Sequence, residues 1–207
     1  MTHTLIRSNS AGNRVRAAFS AFVALLLAGC ASESNLLRGP APADLRGQGA
    51  VLISIGHTGD KSPFQAYWIE AESTDNPATT IYLSSSPENI FNDGKRAVSS
   101  KVGKGDLIAF KLPPGTYKVT RMGAFSDHGP ISPTITWKAS DTFEFALRQD
   151  EITYLGFAVF GRRGPGRAVA YFVFDEFERD VGLLRSIRPE LGGVPVRRNL
   201  LGPEMRN

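Results

Sequence analysis

Residues 106–122 read Asp-Leu-Ile-Ala-Phe-Lys-Leu-Pro-Pro-Gly-Thr-Tyr-Lys-Val-Thr-Arg-Met. Two runs rich in apolar and β-prone residues flank Pro113-Pro114-Gly115. Proline fixes φ and glycine permits positive φ, so the centre reads as a tight turn. The second run alternates Tyr117, Val119 and Arg121 against Lys118 and Thr120, the period of two of a strand. This stretch predicts a β-hairpin.

Outward from it the same pattern continues. Residues 50–55 (AVLISI), 64–72 (FQAYWIEAE), 79–84 (TTIYLS), 134–138 (TITWK) and 142–147 (TFEFAL) read as strands. Residues 152–160 (ITYLGFAVF) and 168–174 (AVAYFVF) are apolar on both faces, as in strands in the middle of a covered sheet. Gln149-Asp150-Glu151 reads as a turn, as do Gly103 and Gly105 and Asn92-Asp93-Gly94. Many short strands with Gly/Pro turns predict an all-β sandwich or barrel.

One helix is expected. Asp175 is the candidate N-cap, and Glu178 gives a capping-box-like spacing. Phe177, Val181, Leu184 and Ile187 fall on one face. Pro189 stops the helix at Arg188. This amphipathic helix is expected to cover an edge or open end of the sandwich. Residues 190–207 read as an extended arm.

The amino-terminal end reads differently. Arg7, Arg14 and Arg16 precede an apolar run at 17–28 (AAFSAFVALLLA), with no acid among them. Twelve apolar residues are too few to span roughly 30 Å of hydrocarbon as a helix. A basic start, a short apolar stretch and small residues after it match a secretory signal peptide.

Leu27-Ala28-Gly29-Cys30 resembles the lipobox of bacterial lipoproteins. The resemblance implies cleavage before Cys30, recognition through Leu27, Ala28 and Gly29, and a thioether-linked diacylglycerol on Cys30. It also implies a further acyl chain, such as palmitate, on the new amino group. Cys30 is the only cysteine, and a lone cysteine in an exported chain calls for an explanation. Two or three acyl chains hold a protein to a membrane durably, whereas one does so only marginally. Ala31-Ser32, rather than Asp, follow the cysteine. In such lipoproteins this implies sorting to the outer membrane, facing the periplasm. Residues 31–48 contain two prolines and two glycines and read as a flexible tether.

The expected organisation is a signal peptide at 1–29 and a lipidated tether at 30–48. A β-sandwich domain follows at 49–174, then a helix and extended arm at 175–207.

The run 110–119 (FKLPPGTYKV) resembles the F-x-L-x-P-G-x-Y-x-V hairpin of transthyretin-like (prealbumin-like) β-sandwiches. Residues 143–156 resemble the F-x-L-x-x-G-E-x-x-Y-L-G pair of small uncharacterised bacterial lipoproteins of that fold, with Asp150 where glycine is usual. Members of this architecture serve as carriers, adhesin stalks, accessory lipoproteins and regulatory domains, so the fold implies no single function.

Catalytic signatures are absent. There is no G-x-S-x-G, H-E-x-x-H, G-x-x-x-x-G-K-[ST] or C-x-x-C. His57 and His128 both sit in turn-like contexts. Pooling them with Asp60 and Asp127 as a metal site, or Ser126 with His128 and Asp127 as a triad, would need adjacent side chains to converge. No enzyme activity, metal or cofactor is therefore expected.

Two basic features remain as a possible interaction surface: Arg162, Arg163 and Arg167 on a glycine-rich hairpin loop, and Arg197 and Arg198 on the arm. Anionic lipid heads, an acidic glycan or an envelope protein are the candidate contacts. Tyr67, Trp68, Trp137 and Phe172 could line a ligand face, but at strand period such aromatics are more often core.

The chain carries 24 Lys+Arg against 20 Asp+Glu, and its pI near 9.4 suggests nucleic acid at first sight. Three of those arginines leave with the signal peptide, so the mature chain holds 21 basic and 20 acidic residues. A near-neutral body expects no nucleic-acid partner. The expectation is a lipid-anchored, non-enzymatic envelope protein, structural or accessory to a larger assembly. The alternative is a small-ligand or glycan-binding lipoprotein.

Overall fold

The computed structural model describes residues 36–37, 44–59, 64–77, 79–85, 96–125, 134–138, 143–163 and 168–202. Residues 34–207 form one compact unit. Its described part is all-β with one α-helix.

The strands are β1 (Gly49–His57), β2 (Ala66–Ser73), β3 (Thr80–Ser85), β4 (Ala97–Ser99) and β5 (Lys104–Leu112). They continue with β6 (Gly115–Phe125), β7 (Thr134–Lys138), β8 (Glu144–Leu147), β9 (Ile152–Arg163), β10 (Ala168–Phe174) and β11 (Val196–Arg198). The helix α1 is Phe177–Ile187. The first sheet runs β10-β9-β1-β5-β4, with β11 also on β9. The second runs β3-β2-β6-β7, with β8 also on β6. β1 and β11 each run parallel to β9, and the other pairs are antiparallel.

The stretch at 106–122 is not the expected hairpin: the turn at 113–115 joins β5 to β6, which do not pair and lie in different sheets. The Pro-Pro-Gly turn therefore carries the chain from one layer to the other. Tyr117 closes this corner by donating its hydroxyl to the Pro113 carbonyl at 3.0 Å.

The continuous apolar character of β1 has a simple cause: both faces are covered. Val51, Ile53 and Ile55 face the second sheet, among Tyr67, Ile69, Val119 and Met122. Ala50 and Leu52 join a second core with Tyr154, Phe157, Val181 and Leu184. Full burial of each large apolar side chain contributes roughly 1.5–3 kcal/mol. The helix thus lies over the outer face of the first sheet, not over an edge or open end. Its bounds match the 3.6-residue pattern. Its cap differs: Glu176 is the N-cap, while Asp175 Oδ1 accepts from the Phe177 amide at 3.1 Å.

Two β-bulges reset the side-chain phase. In β6, Glu70 pairs with Arg121 and Ala71 with Val119, leaving Thr120 as the extra residue. Tyr117 and Val119 face inward before it, and Met122 and Ala124 after it. Arg121 is thereby turned to the outer face, against the simple alternation. In β9 the register with β1 shifts at Leu155-Gly156, and Gly156 adopts φ +100°. Tyr154 faces the helix before this bulge and Phe157 after it. A bulge inserts one residue and so switches the faces of all that follow.

Gly105 lies within β5 and not in a turn; only Gly103 belongs to the β4–β5 connection, where its carbonyl accepts from the Ser100 amide. Gly105 stands opposite Gly56. A Cβ on either would fall 2.0–2.2 Å from a backbone carbonyl oxygen, so the two strands approach where only glycine fits. Asp150 takes the left-handed conformation at φ 54°, which Asp tolerates, and its carboxylate accepts from the Gly47 amide at 2.9 Å.

At both ends of the body the described residues pack onto the sheets. Leu36, Leu37 and Leu45 are buried in the helix-side core. The Leu36 amide donates to the Ala109 carbonyl, and Arg188 Nε donates to the Leu36 carbonyl at 2.6 Å. A short 3-10 turn, Pro189–Leu191, leads to β11, which fills the place beside β9 that β10 leaves open.

Candidate functional site

The outer face of the second sheet carries the group of side chains best suited to contact a ligand. Trp68 and Glu70 are two residues apart on β2, so they share a face. In the register Glu70 lies between Tyr82 of β3 and Arg121 of β6. Trp68 lies between Ser84 and Gly123.

The bulge at Thr120 supplies Glu70 with two donors from consecutive residues. Thr120 Oγ1 donates to Glu70 Oε1 at 3.0 Å, and Arg121 Nε donates to the same oxygen at 2.7 Å. The phenol of Tyr82 adds a looser interaction with the carboxylate. Glu70 Oε2 is left without a well-formed hydrogen bond among the described residues. Burial would push the Glu70 carboxyl up, but the hydrogen bonds from Arg121, Tyr82 and Thr120 outweigh it and hold it below the usual range. Donating to the Glu70 carboxylate in turn raises the Tyr82 phenol.

Glu70 is only 1% exposed although it points away from the sandwich core. Surface side chains cover it. Tyr82 is 58% exposed, and no other large hydrophobic side chain is exposed among the described residues. The Arg121 side chain is 50% exposed. Trp68 is half-buried, and its ring centroid lies 6.4 Å from that of Tyr82, tilted by 55°. Three indole atoms of Trp68 occupy the space where a Gly123 Cβ would stand, at 2.3–2.6 Å from it. The indole therefore lies over Gly123, with the glycine acting as its seat.

A second polar cluster is buried. Asp180 of α1 receives hydrogen bonds at Oδ2 from Ser54 Oγ at 2.9 Å and from the Tyr154 hydroxyl at 3.0 Å. Arg179 Nε donates to Oδ1 at 2.8 Å, and its guanidinium lies 4.6 Å from the Phe157 ring centroid. The Tyr154 hydroxyl also accepts from the Glu176 amide at 3.0 Å. Burial pushes the Asp180 carboxyl above its usual range despite Arg179, and it pushes the Tyr154 phenol up as well. Ser54, Tyr154 and Asp180 are fully buried, Arg179 lies at the rim with 21% of its side chain exposed, and the cluster ties the helix to the sheet.

Of the residues singled out from sequence, Leu27, Ala28, Gly29, Cys30 and Arg167 lie outside the described residues. So do Asn92-Asp93-Gly94, Asp60, Ser126, Asp127 and His128. Arg162 and Arg163 belong to the end of β9, paired with Val169 and Ala168, rather than to the loop; their side chains are not described.

Arg197 and Arg198 are tied to partners within the chain. Arg197 Nε donates to Glu151 Oε1 at 2.6 Å, and its terminal nitrogen donates to the Ala146 carbonyl. Arg198 pairs with Asp175 at 3.2 Å and Glu178 at 3.3 Å, and lies over the Phe177 ring. These contacts pin β11. Glu178 serves here and not in a capping box.

His57 is a core residue and not a turn residue: it is 4% exposed and stacks on Tyr67 at 6.1 Å. Among the described residues no group of three His, Cys, Asp or Glu is placed to hold a metal. No described helix is long and apolar enough to cross a membrane. Tyr67 is fully buried and Phe172 partly so, whereas the side chain of Trp137 is not described.

Sequence reasoning missed Glu70, Tyr82, Thr120 and Arg121. The available signal was the single glycine at 123 across from a tryptophan in a neighbouring strand, which cannot be paired until the register is known.

No family model and no curated protein matches the chain. Two solved structures match. One is a leucine-rich repeat protein from Bacteroides thetaiotaomicron, at 15% identity and TM-score 0.33, over 56% of this chain and 14% of that one. The other is a protein named for cell adhesion from Parabacteroides distasonis, at 10% identity and TM-score 0.33, over 61% of this chain and 38% of that one. The chain thus spans well under half the length of either. Likeness at this level carries no argument about architecture or activity.

Proposed function

We propose that this is a lipid-anchored, non-enzymatic protein of the bacterial envelope, held at the outer membrane and facing the periplasm through acyl chains on Cys30. The single observation that carries the reading is Leu27-Ala28-Gly29-Cys30 at the end of a short basic-then-apolar segment, with no other cysteine in the chain. Its domain is proposed to be a transthyretin-like sandwich. The Tyr117–Pro113 corner and the left-handed turn at Asp150, where the resembling pattern has glycine, support that finer assignment.

The test is metabolic labelling with palmitate of the wild type beside Cys30→Ser. Label on the wild type alone supports the reading. Label on both, or on neither, overturns it. The alternative, a glycan or small-ligand binder, has one observation in its favour: the exposed aromatic and ion-paired face of β2, β3 and β6.

A further inference from the structure

We infer that the face formed by Trp68, Tyr82, Glu70 and Arg121 binds a neutral carbohydrate. The inference deepens the glycan-binding alternative, names its site and does not depend on how the chain is anchored.

Three features select the ligand chemistry. The first is aromatic. A pyranose ring has an apolar C–H face that packs on a flat π surface, and Trp and Tyr are amphipathic rings suited to such half-wet contacts. The indole of Trp68 rests on Gly123, and Tyr82 stands beside it at 6.4 Å with more than half of its surface in solvent. Because glycine has no side chain, the indole is seated directly on the sheet without a bulky residue lifting it.

The second feature is polar. Oriented hydroxyls need fixed donors and acceptors close to the apolar surface. Glu70 Oε2 is buried beneath the surface side chains, so the group offered to a hydroxyl is Arg121, whose side chain is 50% exposed and bonds Glu70 through Nε. Oε1 accepts from both Thr120 and Arg121, so the carboxylate holds the guanidinium in place before any ligand arrives.

The third is charge. Glu70 pairs with Arg121, Glu72 stands opposite Lys118, and Lys138 beside Arg121 is matched by Glu144 beside Lys118, so a sulfate, phosphate or uronate meets charges of both signs rather than a basic patch. The face is also a poor protein-docking surface. A specific protein interface buries about 800 Å² per partner around apolar anchors, and Tyr82 is the lone exposed large hydrophobic here among the described residues. The neighbouring Thr80, Ser84 and Thr136 are short, hydroxylated and exposed, which leaves the Tyr82 ring standing clear beside the half-buried Trp68.

The test is calorimetric titration of the mature protein in detergent with cellotetraose, maltotetraose and chitotetraose, with a heparin tetrasaccharide as the charged control. The expected result is saturable binding of at least one neutral sugar, weakened at least tenfold by Tyr82→Ala and by Glu70→Gln and lost with Trp68→Ala. Tyr82 is largely exposed, so its variant keeps the fold even if the Trp68 variant does not; circular dichroism checks both. Failure to bind any neutral sugar overturns the inference, as does preference for heparin or binding that survives Tyr82→Ala and Glu70→Gln together. Photo-cross-linking from position 82 in cells provides an independent reading. Capture of a protein in place of glycan also overturns it. Palmitate labelling reports on Cys30 alone, so failure of the anchor and failure of the sugar site are seen separately.

Discussion

The hydroxyl of Tyr154 on β9 donates to Oδ2 of Asp180 on α1 across 3.0 Å, inside a fully buried interface between helix and sheet. Ser54 of β1 donates to the same oxygen, and Arg179 holds the other. One carboxylate therefore ties two neighbouring strands to the helix. A buried charge of this kind is tolerable only because its hydrogen-bonding capacity is met.

Removing one partner should expose that dependence. Tyr154→Phe keeps the ring and loses the bonds to Asp180 and to the Glu176 amide. The expected loss is about 1–3 kcal/mol, the cost of stranding buried polar groups. Asp180→Ala strands Ser54, Tyr154 and Arg179 together and should cost more, about 3 kcal/mol or above. Urea denaturation of the three proteins checks the order. Equal stability of wild type and Tyr154→Phe would show that the network does not hold the helix.

The same carboxylate predicts a pH dependence. Burial raises the folded-state value of Asp180 above that of the unfolded chain, against the pull of Arg179. Its contribution is therefore fully present below the unfolded carboxylate value of about 3.9 and is lost as pH rises through the raised folded value. Ser54, Tyr154 and Arg179 face the same group, and Glu176 faces Arg179. Relative to Asp180→Asn, the wild type should lose stability as pH rises through that raised folded value. A relative gain over that rise would mean that the ion pair with Arg179 outweighs burial.

Gly105→Ala should be far more damaging than an ordinary strand glycine substitution. The new Cβ would meet the Ile55 carbonyl at 2.2 Å, and the obstacle is backbone that cannot rotate away. The β1–β5 pair at the centre of the first sheet must separate. We expect a loss of about 3 kcal/mol or more, beyond the usual overpacking cost, read as a lowered melting temperature or as insoluble protein. Gly182→Ala, at an open helix position, serves as the benign control.

Leu45→Ala distinguishes a docked segment from a tether. Leu45 is 4% exposed within the helix-side core. Truncation should cost about 2–4 kcal/mol as a buried leucine. A free linker would show no change in denaturation midpoint.

The strands from β1 to β10 were legible where they were long and apolar, and α1 was legible through Phe177, Val181, Leu184 and Ile187. β4 and β11 were not. Each is three residues long and has too few side chains for a period; β11 exists because β9 offers an unpaired edge beyond the end of β10. Arg197 and Arg198 looked like solvent charge because Glu151, Asp175 and Glu178 lie 20 or more residues away in sequence.

The candidate face was hidden for a related reason. Trp68 was visible as an aromatic in a strand, but strand alternation alone does not say which face looks outward. Arg121 was assigned to the face of Tyr117 and Val119, and the bulge at Thr120 reversed that.

Local chemistry alone determined the strand-rich body, the Pro-Pro-Gly turn, the helix bounds and the expectation of a lipidated Cys30. Those features rest on backbone propensity, side-chain period and short contiguous motifs, which act between residues close in the chain. Tertiary structure decided which glycines sit strand against strand, which carboxylates are buried and which aromatic ring meets solvent. Those outcomes depend on register, and a bulge of one residue exchanges the inner and outer faces of everything after it.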